Sequence, residues 1–131
     1  MCGIVGIYLK NKNLKNSLGS LLSGMLINMS SRGPDSAGFA IYKEEDKGKF
    51  KYSICINNQS FDDFKDNKKK YLEDYDLIKN SDHVILKTKE KPSKVLNILK
   101  KNFKDVSLVG YGKSIEIFKQ VGNPSDVVEK F

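Results

Sequence analysis

The chain has 131 residues, of which 39% are hydrophobic and 30% charged, and its formal net charge is +7. That length suits one ordinary domain with one buried core, and the composition is globular rather than disordered or fibrous. No apolar run approaches the roughly 20 residues of a membrane span, and two cysteines cannot staple a secreted scaffold.

The N-terminus, Met1-Cys2-Gly3-Ile4-Val5-Gly6-Ile7-Tyr8-Leu9-Lys10, lacks the basic region and long apolar stretch of a signal peptide. Cysteine at position 2 also removes the glycine that myristoylation needs. The cytoplasm, where thiols stay reduced, is the expected compartment. Residues 4–9 are short, apolar and β-branched, which predicts a buried strand. Leu14, Leu18, Leu21, Leu22, Met25, Leu26 and Met29 recur at helical spacing and predict an amphipathic helix. Ser30-Ser31-Arg32-Gly33-Pro34-Asp35-Ser36 then breaks it. Strands follow at 38–42 and 50–56, separated by a charged turn at 43–49.

From Phe61 to Asp76 the lysine- and aspartate-rich pattern predicts a helix, followed by a strand at His83–Thr88. Pro92 opens a helix that carries Val95, Leu96, Ile98 and Leu99 to Phe103. Val106–Val109 reads as a strand and Lys113–Gln120 as a helix. Asn123 caps a last helix with Pro124 at its first position. The β-α-β-α run from about residue 82 predicts a small layer with its own sheet. No internal repeat is evident.

Of the 23 basic residues, 22 are lysines, and the one arginine is Arg32. Lysine, asparagine and isoleucine supply a third of the chain, as a bias toward A/T-rich codons would. Readers of base edges and phosphates lean on arginine's planar fork, so no nucleic-acid partner is expected.

Loss of Met1, which the small second residue permits, would put a thiol and a free α-amine on Cys2. An α-amine titrates near pH 8 and can take the thiol proton at neutral pH, so no histidine base is needed. About 30 residues later comes Ser31-Arg32-Gly33-Pro34-Asp35-Ser36-Ala37-Gly38-Phe39-Ala40. Together, Cys2-Gly3-Ile4-Val5-Gly6 and this second element resemble the class II glutamine amidotransferases, which belong to the N-terminal nucleophile hydrolases. Leu21-Leu22-Ser23-Gly24-Met25-Leu26 and Gly112-Lys113-Ser114-Ile115-Glu116-Ile117-Phe118-Lys119-Gln120-Val121-Gly122-Asn123-Pro124 are similar to one branch in particular. That branch is the amidotransferase-like subunit of the glutamate synthase and N-methylglutamate synthase group.

The resemblance implies an α/β (α+β) fold, the N-terminal part of a four-layer α-β-β-α sandwich. Residues 1–59 would hold the nucleophile strand, helix and turn, and about 60–120 a small α/β insertion. It implies glutamine as substrate, Cys2 as nucleophile, and Gly3, Arg32, Gly33, Asp35, Ser36 and Gly38 as supporting residues. Gly33 and Gly38 would serve backbone geometry, and an Arg32–Asp35 ion pair that locks the turn is the plainer reading of those two residues. Ammonia would pass to a synthase subunit, which by resemblance carries a flavin; no cofactor or metal is expected in this chain. Family members also carry an arginine that holds the substrate carboxylate, an Asn-Gly oxyanion pair and an acidic residue for the α-amine. None occurs in residues 1–131, so the resemblance implies the front of a longer domain. The other readings are a non-catalytic amidotransferase-like subunit, an inactive fragment and a small independent binding module.

Cys55 is expected as a small core residue, and a disulfide to Cys2 is rejected because it would abolish the nucleophile. His83 has no ligand-spaced partners in sequence. Gly112-Lys113-Ser114 is no phosphate loop, because position 107 is serine where that motif needs glycine. Asp62-Asp63 and Glu44-Glu45-Asp46 lie among lysines on solvated faces.

Overall fold

Seven residues, Phe50–Ile56, alternate bulky apolar side chains with Lys51, Ser53 and Cys55, and this stretch becomes one of the two interior strands of the main sheet. The computed structural model describes residues 3–57 and 61–131. Its elements are α1 (Leu18–Ile27), β1 (Ser36–Tyr42), β2 (Phe50–Ile56), α2 (Phe61–Lys68) and β3 (Tyr75–Asn80). They continue with β4 (His83–Thr88), α3 (Pro92–Asn102), β5 (Val106–Gly112), β6 (Ile115–Val121) and α4 (Pro124–Lys130). The mixture is α+β. No helix among the described residues is long and apolar enough to cross a membrane.

The chain divides into two units. One is Phe39–Phe118, built on an antiparallel sheet of order β3-β4-β2-β5. Tyr52, Ile54 and Ile56 of β2 and Val84 and Leu86 of β4 project to one face. There they pack with Phe64 of α2, Leu72, and Val95, Leu99 and Phe103 of α3 or its end. The helices thus cover one face of the sheet. On the other face Ser53 Oγ accepts the Ile117 N–H at 2.7 Å, and the Phe118 ring lies 5.7 Å from that of His83. Strand β6 therefore packs on the side opposite the helices, and it pairs with β1 in a separate two-stranded sheet. Burial on both faces is what a central strand requires, and Lys51 and Ser53 are as buried as their apolar neighbours.

The other unit joins the chain up to Gly38 to Lys119–Phe131. Here α1 packs against α4. The expected cap of α4 is present as a capping box: Asn123 Oδ1 accepts the Ser125 N–H at 3.2 Å, and Asp126 Oδ2 accepts the Asn123 N–H at 3.3 Å.

Three expected elements differ. Residues 4–9 form no strand: Val5, Ile7 and Leu9 are half-buried while Ile4 and Tyr8 are exposed. The two-residue period is present, but none of the described strands pairs with it, and a strand needs a hydrogen-bonded neighbour. The helix expected over Lys113–Gln120 is strand β6, in which Glu116 and Phe118 are buried on one side while Ile115 and Ile117 face the other. Two β-branched residues at period two outweigh the weak helical spacing. The helix expected from Phe61 to Asp76 ends at Lys68, and β3 begins at Tyr75. As an edge strand β3 carries Asp76 and Lys79, charges that guard a free edge and mask its period from the sequence. The sheet expected from residue 82 onward also takes in β2 as an interior strand.

Lys68 is completely buried, and its Nζ lies 3.9 Å from the centre of the Phe64 ring with no hydrogen-bond partner among the described residues. Burial lowers its pKa from 10.5 to about 7. The unfolded chain therefore holds the extra proton between about pH 7 and 10.5, and folding stability rises with pH across that window. Lys68→Met, which keeps the volume without the charge, should stabilise the protein by about 2–4 kcal/mol at pH 6. The gain should shrink toward zero by pH 10, as measured by urea unfolding at each pH.

Candidate functional site

Of the residues the motifs point to, Cys2 lies outside the described residues. Its neighbour Gly3 is described, and its surroundings are specific. A side chain on Gly3 would collide with Met29 Cε and stand 3.5 Å from both Cβ and Cδ of Arg32. The backbone next to Cys2 therefore lies against the stem of the one arginine. A Cβ there would require the flexible end of Met29 to shift, while its contacts to Arg32 would be ordinary van der Waals ones.

Arg32 reaches this position through local structure. Helix α1 ends at Ile27, and a 3-10 turn over Ser30–Arg32 follows, in which the Arg32 N–H bonds the Met29 carbonyl at 2.9 Å. Gly33 and Pro34 end that turn, and β1 starts at Ser36. The Asp35 carbonyl accepts the Gly122 N–H at 3.0 Å, which ties the turn to the end of β6. Arg32, Asp35 and Ser36 are exposed, while Gly33 and Gly38 are half-buried.

The Arg32–Asp35 ion pair is not formed among the described residues, so the turn is held by backbone hydrogen bonds. Neither Gly33 nor Gly38 takes a positive φ; in this region that demand falls on Gly122, at φ 131°. The motif thus converges at Gly3, Met29 and Arg32, and it does not bring the Asp35 carboxylate onto Arg32. A further grouping, invisible in sequence order, is Cys55 with Asp82 and His83. Only the antiparallel register, in which Cys55 faces His83, could have revealed it.

Comparison with known proteins adds a second line of support. The chain aligns over 135 positions, all of its length, with "Glutamine amidotransferase-like protein GlxB" of Rhizobium meliloti (strain 1021) at 41% identity. A stretch of 42 residues, 32% of the chain, is 52% identical to a "Putative glutamine amidotransferase" of Methanothermobacter thermautotrophicus. The likeness supports the glutamine amidotransferase family in general. The chain spans 44% of the first relative's length and 13% of the second's. No family model and no solved structure matches it.

The role of Gly122 in the turn can be measured. Its φ of 131° lies where side-chain-bearing residues are strained, and a substitution there should cost about 1–3 kcal/mol. Gly33 has open space around it, the nearest atom to a built Cβ being Ser36 O at 4.0 Å. In urea unfolding Gly122→Ala should lower stability by that amount, whereas Gly33→Ala should stay within about 1 kcal/mol of wild type.

Proposed function

We propose that this chain is the nucleophile-bearing part of a class II glutamine amidotransferase domain, with Cys2 as the attacking residue. The observation that carries the reading is the placement of Arg32 against Gly3, which joins the two halves of the motif in space. Similarity along the whole chain to an amidotransferase-like protein supports it.

In this reading removal of Met1 frees the α-amine of Cys2. The amine takes the thiol proton, and the thiolate attacks the side-chain amide carbon of glutamine. The tetrahedral intermediate collapses as the amine returns the proton to the leaving nitrogen, and ammonia departs. Water then cleaves the γ-glutamyl thioester, giving glutamate and restoring the thiol. Donors aimed at the oxyanion are each worth about 3–4 kcal/mol in such reactions. Gly3, Gly33, Asp35, Ser36 and Gly38 shape the backbone around the nucleophile, and Arg32 positions the segment that carries it. Ammonia passes to a synthase subunit.

We assign the fold to the α-β-β-α sandwich. In the Phe39–Phe118 unit, helices α2 and α3, the four-stranded sheet and strand β6 follow one another in the order that three of its layers would take. A non-catalytic subunit is the second reading, favoured by the "-like" in the first relative's name.

One experiment separates the two. The protein expressed from its complete reading frame should lack Met1 by intact-mass spectrometry and release ammonia from glutamine. Cys2→Ala should reduce that rate about 10³-fold or more. Equal rates for wild type and Cys2→Ala would leave the non-catalytic reading standing. Arg32→Lys keeps the charge but loses the planar fork and the shape of the stem, and it should lower kcat/KM about tenfold or more in the same assay.

A further inference from the structure

Three metal-ligating side chains meet where β2 ends and β4 begins. Cys55 and His83 are direct partners in the antiparallel ladder, and such residues project to the same face with Cβ atoms about 5 Å apart. Asp82 precedes His83 and would point away if it continued the strand. It lies instead in the two-residue Ser81–Asp82 turn, where Ser81 takes a φ of 55°. A positive φ at the first turn position suits the mirror-image turns of hairpins, and a non-glycine residue holds it here at some cost. The Asp82 side chain swings back to place Oδ1 2.8 Å from His83 Nδ1. Its carbonyl accepts the Ile56 N–H at 2.8 Å, fixing the turn to the residue after Cys55.

The thiol sulfur, an imidazole nitrogen and a carboxylate oxygen lie within 4.8 Å of one another. The Cys55 thiol donates to Asn57 Oδ1 at 3.1 Å, which brings a fourth polar atom to the cluster. His83 is fully buried and its ring is backed by Phe118, on which Phe39 stacks at 5.0 Å. One wall of the cluster is thus apolar and packed, while Cys55 and Asp82 keep partial access to solvent.

We infer that Cys55, Asp82 and His83 bind a divalent transition metal of the zinc class. Bonds of about 2.0–2.3 Å in a tetrahedral shell need ligand atoms about 3.5 Å apart, so side-chain rotations on the order of 1 Å close the site. A sulfur, nitrogen and oxygen donor set selects zinc-like ions over magnesium and calcium, which take oxygen ligands. The Cys55 thiol gives its proton to solvent as the sulfur–metal bond forms. The three ligands come from a paired strand end and its facing turn, so little backbone order is lost on binding.

Cobalt(II) added to the full-length protein under reducing conditions tests this. A thiolate-to-cobalt charge-transfer absorption should saturate at one equivalent and be displaced by zinc(II). It should persist in Cys2→Ser and vanish in Cys55→Ser, and zinc should raise the Tm of wild type and Cys2→Ser alone. Asp82→Asn, at a turn that tolerates the amide, should weaken cobalt binding at least tenfold, which keeps the test open if Cys55→Ser does not fold. No absorption at one equivalent, an absorption that follows Cys2 instead of Cys55, or unchanged affinity in Asp82→Asn would overturn the assignment.

Discussion

Everything in the larger unit depends on β2 being closed on all sides. It gives its backbone hydrogen bonds to β4 and β5, its apolar face to the helices, and its polar face to β6 and His83. A strand so enclosed leaves no room for an unsatisfied polar group. Its polar side chains are accordingly engaged: Ser53 accepts a backbone N–H, and Lys51 Nζ donates to the Glu44 carbonyl at 2.9 Å. The ladder that satisfies the backbone also fixes register, and register is what sets Cys55 opposite His83. The chemistry proposed for that pair is thus a by-product of how the core closes.

Charge in the interior follows the same logic with a different result. Glu116 is buried on β6 and meets Lys43 at 2.7 Å, so one carboxylate oxygen is paired and the other has no partner among the described residues. The Lys68 amine lies over the rings of Phe64 and Tyr75 with no hydrogen-bond partner among the described residues, and burial lowers its pKa. Glu116 thus has an ion-pair partner for one oxygen, whereas the Lys68 amine has none among the described residues.

Where the sequence was legible, each local signal agreed with the tertiary demand. Phe50–Ile56 and His83–Thr88 have the bounds expected of them, because their residues are β-formers and both strands lie inside the sheet. Pro92 and the Asn123–Pro124 pair mark helix starts by a mechanism that acts within one turn of chain. Failures came where the deciding partner is distant. Ile4–Leu9 has strand chemistry, but pairing depends on another strand. Tyr75–Asn80 carries edge charges that look like a solvated helix face. Lys113–Gln120 could adopt either period until β1 provides a ladder for it. The same limit governs the sites: the Arg32 motif is legible because its residues are contiguous, whereas Cys55 and His83 stand 28 positions apart and meet only through register.

The turn that carries Arg32 shows why backbone support matters for a site. Had the guanidinium been paired with Asp35, its fork would have been spent on holding the turn, and moving it would have cost that ion pair. Instead Gly122 holds the Asp35 carbonyl and Met29 the Arg32 amide. No hydrogen bond or ion pair among the described residues occupies the guanidinium, and only the aliphatic stem is engaged, against Gly3. An arginine stem covers apolar and backbone surface while its charged head stays in solvent. The turn is therefore held without the guanidinium, and the stem is the part of Arg32 that meets Gly3.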